Sequence, residues 1–395
     1  MRSITGLLVA LFLSVQSLQG AWELDSGVRR GQDALYELDY ETAEQVFSEL
    51  AHQFPDDPTG QAFISIIYWN LLLRAAANLA IDDYATPTPF TKGKTYKSIG
   101  KESERFKAAT DKLISLCDRL LEEDPGNVKA LYFKGVAHEN LAAEAIAIAK
   151  SSGGAFTHGR KAKGLHEEVL ELDPEFVDAK MSIAVYEFAK ATLPWSIKWI
   201  AFLLGMRGNK EEALAKLQEV AEKGKYRALD AEVVMALLHS WKGDPNESIR
   251  IFDSLAERYP MNYLIDINKA AIYAVSLKDL KSSLGVYQQL AENLDKKAPG
   301  LYPGEVYFRI GKTQYALRDH SMALDSFEQA LASESGERET GPLSSFYMAE
   351  IYDQRGDSEK AIEYYGKVVE YQGPQRVLKK ELKKARDRLK KLQKK

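Results

Sequence analysis

The chain has 395 residues, of which 45% are hydrophobic and 28% are charged. This balance is that of an ordinary soluble protein with enough apolar surface for a core. The formal net charge of −4 argues against a general electrostatic attraction to nucleic acid, and the single cysteine excludes a disulfide within the chain.

Residues 1–20 have the pattern of a secretory signal. Arg2 supplies a positive start, residues 4–15 form an apolar run, and a polar, small-residue segment ends at Gly20. The apolar run is shorter than the ~20 residues that a membrane-spanning helix needs. We therefore expect a cleavable signal peptide over 1–20, with a retained N-terminal anchor as the alternative. Because an exported chain without disulfides suits a bacterial periplasm, the predicted location is periplasmic or otherwise exported.

The chain after this signal opens with a predicted pair of helices over residues 25–58. The second helix presents Ala43, Phe47 and Leu50 at spacings of four and three residues, which is the apolar stripe of an amphipathic helix. Pro55 is expected to end this helix.

A hydrophobic run follows at 61–80 and is long enough to span a bilayer. Within it, Asn70, Arg74 and Asn78 recur every four residues and form a polar edge. This pattern favours a helix packed on both sides over a transmembrane helix. The prolines, glycines and threonines of 82–102 then predict a loop.

The middle of the chain continues the helical pattern with interruptions. A helix is predicted at 103–124. Cys117 belongs to its apolar pattern with Leu113, Leu116 and Leu120, and is therefore expected to be a buried apolar residue rather than a reactive thiol. A second inserted loop is predicted at 151–159, between helices at 127–150 and 160–172.

A tryptophan-rich run at 194–206 is the next irregular feature. Pro194 is expected to kink or break the helix that reaches it. Trp195 and Trp199 lie one helical turn apart in the run, which is predicted to be a core helix. The alternative is that its apolar face rests at a membrane interface.

From Tyr226 the helical pattern becomes regular, and its clearest unit is 341–372. Two amphipathic patterns meet there at the turn 355–357, and small residues occupy the positions where the two helices approach. The same spacing occurs in three units, with Ala349, Ala361 and Tyr365 in one, Gly311, Ala323, Phe327 and Ala330 in another, and Gly31, Ala43, Phe47 and Pro55 in the first.

The last stretch, 375–395, carries eleven lysines or arginines against two acidic residues. Its apolar residues form one narrow seam, made of Leu378, Leu382, Ala385, Leu389 and Leu392. This is the pattern of a helix that caps the end of a repeat array with its apolar side. A second hypothesis is that its basic faces also bind an anionic membrane surface or an acidic partner.

The repeated spacing resembles that of the tetratricopeptide repeat family, whose unit of about 34 residues is a helix-turn-helix. The resemblance implies an all-α fold, a solenoid of such repeats that winds into a right-handed superhelix. We expect one continuous array of seven or eight repeats over 21–372, irregular over 59–225 and regular over 226–372. A basic capping helix is expected at 373–395.

In this family the first helix of each repeat lines a concave groove that typically binds an extended peptide or a helix. The tyrosines in such a groove offer apolar area with a polar tip, and the asparagines can hydrogen-bond a peptide backbone. Counted from the small residues, the expected partner-binding residues are Tyr36, Tyr132, Glu139, Asn140, Asn268, Phe308, Lys312, Tyr315, Glu350 and Gln354. The set lacks the concentrated basic residues that hold a terminal carboxylate.

No catalytic, cofactor or metal constellation is anchored by a recognisable motif. Gly311, Lys312 and Thr313 resemble the end of a phosphate-binding loop, but Val306 stands where that loop needs a glycine, and the context is helical. None of the histidines has a partner at metal-ligand spacing, and solvated or packed side chains are predicted for His52, His138, His158, His166, His239 and His320. We therefore predict no metal, no cofactor and no enzymatic activity.

The sequence supports three hypotheses of different kinds. The first is a non-enzymatic scaffold of the bacterial cell envelope that binds a peptide or protein partner in its groove, and no nucleic acid. The second is a peripheral membrane protein that uses the patch at 195–206 and the basic C-terminal helix. The third is an enzyme whose site is assembled from the loops 82–102 and 151–159.

Overall fold

The structure is a computed structural model of the chain. It describes residues 22–75, 100–149, 151–191, 210–297, 300–333, 340–371 and 378–394, which are α-helical apart from turns and contain no strand. The predicted signal at 1–20, the tryptophan-rich run at 194–206 and most of the loop at 82–102 lie outside these residues. No helix among the described residues is long and apolar enough to cross a membrane.

The helices are numbered here in chain order. They are α1 at 22–36, α2 Tyr40–Gln53, α3 Thr59–Ala75, α4 Gly100–Glu123, α5 Val128–Ala147, α6 Ser152–Leu172, α7 Lys180–Ala191, α8 Lys210–Lys223, α9 Ala228–Lys242, α10 Pro245–Arg258, α11 Tyr263–Val275, α12 Leu280–Glu292, α13 Pro303–Ala316, α14 His320–Ala332, α15 Thr340–Arg355, α16 Ser358–Glu370 and α17 Lys379–Leu392. Short 3-10 turns lie at Val177–Ala179 and Leu294–Lys296.

Consecutive helices pack against each other as pairs, which is the arrangement expected of a helix-turn-helix repeat. The contacts join α3 to α4, α5 to α6, α7 to α8, α11 to α12, α13 to α14 and α15 to α16. The described residues divide into two compact units, one from 22–75 with 100–231 and the other from 232–394. The boundary between residues 231 and 232 falls within α9.

The small residues seen in the sequence lie where paired helices approach most closely. A Cβ atom added at Gly31 would lie 2.5 Å from the ring of Phe47, and one added at Gly311 would lie 2.7 Å from the ring of Phe327. Both contacts are too short for any residue but glycine. The prediction that Gly311 serves helix packing is thereby confirmed.

The second helix of several pairs begins at an aspartate that caps it. The side chain of each aspartate accepts a hydrogen bond from the backbone N–H three residues ahead, which stabilises a helix start by about 1 kcal/mol. This cap occurs at Asp39, Asp244, Asp279, Asp319 and Asp357.

The predicted inserted loop at 151–159 is wrong. Ser151 caps α6 by accepting a hydrogen bond from the N–H of Gly154, and the helix runs through the glycines from Ser152 onward. Packing of α6 along α5 outweighs the low helix propensity of this segment. The last residues of the predicted loop at 82–102 are also helical, because α4 begins at Gly100.

Cys117 lies in the core of the α3–α4 pair. Its side chain is fully buried. Burial raises the pKa of the thiol to about 12, so the thiolate form is suppressed at neutral pH. The prediction of a buried cysteine is confirmed.

Candidate functional site

The predicted partner-binding residues fall into two groups, one in each unit. The first unit contains Tyr36, Tyr132, Glu139 and Asn140, and the second contains Asn268, Phe308, Lys312, Tyr315, Glu350 and Gln354. The two groups have different chemistry.

In the first unit, a buried carboxylate holds the turn that leads into α9. Asp178 accepts hydrogen bonds from the backbone N–H groups of Lys225 at 2.9 Å, Tyr226 at 2.9 Å and Arg227 at 2.8 Å. These N–H groups precede the helix and have no acceptor within it. Asp178 therefore fixes the position of the arginine that follows.

Arg227 lies between two carboxylates in the interior of this unit. Its Nη1 donates to Oε2 of Glu139 at 3.0 Å, and its Nε donates to Asp230. Burial alone would raise the pKa of Glu139, but the charge of Arg227 and the contact with His166 outweigh burial and lower that pKa to about 2. Glu139 is therefore a structural anion, already paired within the protein.

His166 completes this cluster, which we call the Glu139–Arg227 network. Its Nε2 lies 3.0 Å from the carbonyl oxygen of Tyr132, and because a carbonyl only accepts, Nε2 carries the hydrogen. Its Nδ1 faces Oε1 of Glu139 at 3.2 Å and the hydroxyl of Ser182. A Cβ atom at Gly135 would lie 2.2 Å from Nε2. His166 thus occupies, opposite Gly135, the place that a phenylalanine occupies in other repeats.

Sequence reasoning treated His166 as one of six ordinary histidines and missed this role. A usable signal was present, because the residue that packs at the centre of a second helix lies eight positions before the proline that follows that helix. The pairs are Phe47 and Pro55, Cys117 and Pro125, Phe252 and Pro260, and His166 and Pro174.

Tyr132 and Tyr36 border the Glu139–Arg227 network. Tyr132 is only 1% exposed, and its ring packs against His166 and Tyr226 at centroid distances of 5.2 and 5.8 Å. Its hydroxyl has no hydrogen-bond partner among the described residues, and burial raises its pKa. Tyr36 donates to Asp230 from α1. The expectation of an exposed Tyr132 in a groove is wrong, because aromatic neighbours enclose it.

Asn140 is also more enclosed than predicted. It is 9% exposed, and its Nδ2 has no hydrogen-bond partner among the described residues. Only this small exposed fraction of the Asn140 side chain is available for contact with a peptide.

In the second unit, three rings on the first helices of neighbouring repeats form a contiguous surface. Tyr347 lies 5.1 Å from Tyr315 and 6.2 Å from Phe308, measured between ring centroids. Nε2 of Gln354 donates to the hydroxyl of Tyr315 at 3.1 Å. Lys312 is exposed beside these rings on α13. We call these five residues the aromatic patch, and Tyr347 is the member that sequence reasoning missed.

Glu350 does not belong to this patch as an available group. It is 9% exposed, accepts a hydrogen bond from the hydroxyl of Tyr365 at 2.5 Å, and pairs with Lys384 of α17. Asp353, one turn further along α15, binds Arg388 of α17 through two hydrogen bonds of 2.6 and 2.5 Å. Both Glu350 and Asp353 are therefore paired with basic residues of the C-terminal helix.

Asn268 lies apart from the aromatic patch on α11. Its Oδ1 is buried and has no hydrogen-bond partner among the described residues. Across the described part of the chain, no group of three or more His, Cys, Asp or Glu side chains is placed to hold a metal ion.

Residues 308–376 match the family model of the tetratricopeptide repeat. This segment of the chain is of the tetratricopeptide repeat type. The matched segment covers most of α13 and all of α14, α15 and α16, and so includes the aromatic patch. The predicted resemblance and the all-α, tetratricopeptide-type fold are confirmed. Tetratricopeptide repeats are a protein-binding fold, and the chain is expected to bind protein.

Several solved structures are similar to the chain. One is a tetratricopeptide repeat protein from Parabacteroides merdae, with 14% identity, a TM-score of 0.36, and coverage of 83% of this chain and 99% of that chain. Another is the human IFIT1 dimer with m7Gppp-AAAA, with 13% identity, a TM-score of 0.45, and coverage of 94% and 85%. Yeast Tom70 has 10% identity, a TM-score of 0.41, and coverage of 92% and 88%. No curated protein matches the chain. At such identities we transfer no ligand to this repeat protein.

Proposed function

We propose that this tetratricopeptide repeat protein is a non-catalytic scaffold that binds a peptide segment of a protein partner on the aromatic patch of its second unit. The supporting observation is the contiguous surface of Phe308, Tyr315 and Tyr347 beside the exposed Lys312. Aromatic residues are enriched at protein interfaces, and tyrosine is among the residues that often dominate the binding energy. The chemistry of the patch favours a segment with an apolar side chain for the rings and a carboxylate for Lys312.

The test is an affinity pull-down of the chain from an extract of its source, with mass spectrometry of the bound proteins. Tyr315→Ala and Lys312→Glu should both reduce recovery of a stoichiometric partner at least about tenfold, because a central interface residue contributes 1.4 kcal/mol or more. Gln329→Glu is the matched control, since it places the same acid on the exposed side of α14. Equal recovery of the partner by all variants would refute partner binding on the aromatic patch.

We further propose that the protein acts in the bacterial cell envelope after export. The proposal rests on the signal pattern of residues 1–20 and on the absence of a possible internal disulfide. Fractionation of the source cells and N-terminal sequencing of the protein should find a mature chain that begins near residue 18 or 21. A cytosolic chain with an intact N-terminus would contradict it.

A peripheral membrane role is the second candidate, and it is favoured by the exposed faces of α17. These faces carry basic side chains that have no acidic partner among the described residues, and they are Lys379, Lys380, Lys383, Arg386, Lys390 and Lys391. Each such residue near an anionic bilayer contributes about 1 kcal/mol of binding. Co-sedimentation with phosphatidylserine vesicles at low salt, lost in Lys383→Glu with Lys390→Glu, would support this role. Absence of binding by the unaltered chain would exclude it.

A further inference from the structure

Two histidines that are far apart in the sequence face each other across the α5–α6 pair. Nδ1 of His138 lies 3.1 Å from Nδ1 of His158, and the two rings are tilted by 34°. His138 is 7% exposed, whereas His158 is half-buried and reaches solvent. His158 lies in the segment 151–159 that is predicted to be a loop, so the contact with His138 could not be predicted.

The two facing nitrogens share one hydrogen in the neutral pair, because one Nδ1 must donate and the other must accept. A metal cation can replace that hydrogen. Two nitrogens bound to the same zinc ion at ~2.0–2.1 Å with tetrahedral angles lie about 3.4 Å apart. The observed separation differs from this value by a few tenths of an ångström, which a side-chain rotation can supply.

Both imidazoles are neutral at pH 7, as metal ligands must be. Burial, the neighbouring His158 and two nearby lysines together lower the pKa of His138 to about 4, and burial also lowers the pKa of His158. One of these lysines, Lys134, forms an ion pair with Asp118 at 2.6 Å. Lys161 remains as an exposed cation nearby.

A third side chain at this place has no protein partner in the part of the chain that the structure describes. Glu144 lies on α5 and is 8% exposed. Its negative charge raises the pKa of His158, which places it close to the pair. Among the described residues, no hydrogen bond or ion pair engages its carboxylate. The carboxylate can therefore accept a hydrogen bond from water bound to a cation.

We propose that His138 and His158 bind a divalent transition-metal cation, with solvent completing its coordination and Glu144 accepting a hydrogen bond from a metal-bound water. Because no third ligand among the described residues converges on the pair, Glu144 acts through water. Neutral imidazoles select Zn²⁺, Ni²⁺ or Cu²⁺ over Mg²⁺ and Ca²⁺. The proposal is independent of peptide binding by the aromatic patch.

The experiment is a calorimetric titration of the chelator-treated whole chain with ZnCl₂, and with MgCl₂ as the metal control. We expect one Zn²⁺ per chain and no heat with Mg²⁺. His158→Gln should weaken zinc binding at least about tenfold, and Glu144→Gln should weaken it by about 10- to 100-fold, the usual effect of removing a group that orients a metal ligand. His52→Gln alters an exposed histidine on α2 and should bind zinc as the unaltered chain does.

Far-UV circular dichroism of each variant tests that it is folded, and His158 is chosen for the main variant because it is only half-buried. Absorption of the Co²⁺-loaded chain gives a second readout, since imidazole ligation changes the visible spectrum of the ion. Zinc binding by His158→Gln with unchanged affinity, or no zinc binding by the unaltered chain, would overturn the proposal.

Discussion

A single backbone angle recurs at the residue that precedes each aspartate cap. φ is positive there, at 61° for Leu38, 57° for Lys278, 65° for Arg318, 97° for Gly243 and 79° for Gly356. A residue with a Cβ atom pays about 1–2 kcal/mol to adopt this left-handed conformation. The turn geometry is therefore imposed by the packing of the two helices, and glycine is used at only some of the turns.

This geometry predicts opposite effects of one substitution at two glycines of the same repeat. Gly356→Ala should lower the free energy of unfolding by about 1 kcal/mol, because φ is positive and no atom lies within 4 Å of the added Cβ. Gly366→Ala, in the interior of α16 with equally open space, should raise it by about 1 kcal/mol. Urea denaturation measures both, and equal signs would contradict the explanation.

The Glu139–Arg227 network predicts an acid dependence of stability. The folded-state pKa of Glu139, about 2, lies below its ordinary value of 4.5. The ionised form therefore stabilises the fold above pH 4.5, and this contribution is lost as the pH falls from 4.5 through 2. Glu139→Gln should cost about 3 kcal/mol at pH 7, and the cost should shrink progressively below pH 4.5.

Denaturant titrations of the unaltered chain and Glu139→Gln at several pH values between 7 and 3 measure this difference. Glu49→Gln is the control, because Glu49 forms an exposed ion pair with Arg30 at 3.6 Å. Such a pair contributes ~0–1 kcal/mol. A constant difference between Glu139→Gln and the unaltered chain across this range would show that Glu139 is not the titrating anion.

At the scale of the element, α17 is the clearest case of a helix stabilised by one face. Leu378, Leu382 and Ala385 are buried in the core formed with α15 and α16, while Lys383 is exposed. The ion pairs to Glu350 and Asp353 then fix its orientation along α15. The helix covers apolar surface that the last repeat would otherwise expose to water.

Neighbouring residues of α17 should therefore differ strongly in their effect on stability. Leu382→Ala should lower the free energy of unfolding by about 2–3 kcal/mol, through lost burial and the cavity that remains. Lys383→Ala should change it by less than about 0.5 kcal/mol. Thermal denaturation compares the two, and a similar loss in both would mean that α17 does not contribute through its apolar seam.

At the scale of the whole molecule, we expect the described fold to form without the predicted signal segment. α1 begins at residue 22 and buries Leu24, Val28 and Leu35 against its unit. A chain without residues 1–20 should therefore keep the helical content and melting temperature of the full chain. A chain without residues 1–36 should melt at a lower temperature, because the removal of α1 exposes Phe47.

Circular dichroism melts of the two truncated chains decide this point. A loss of stability on removal of 1–20 alone would show that this segment packs on the fold and is not a removable signal. The outcome bears directly on the proposed export.

The local part of the fold was predictable from the sequence. A second helix carries its large residue 16 positions after the small residue of the first helix, as in Gly31 and Phe47 or Gly311 and Phe327, and such short-range complementarity is visible as a repeat. The apolar seam of α17 was also predictable, because its residues recur at short spacings within one helix. The segment 151–159 was misjudged, because packing on a neighbouring helix outweighs local propensity.

The sequence by itself determined the helical repeat, its small and large packing positions and the amphipathic last helix, since these depend on residues within one or two helical turns or one repeat. Only the tertiary structure decided that Tyr132, Asn140 and Glu350 are buried, that Glu139 pairs with Arg227, and that His138 faces His158. The physical reason is that burial and charge pairing depend on which helices become neighbours. Periodicity along the chain shows which face of a helix is covered, and not which residues cover it.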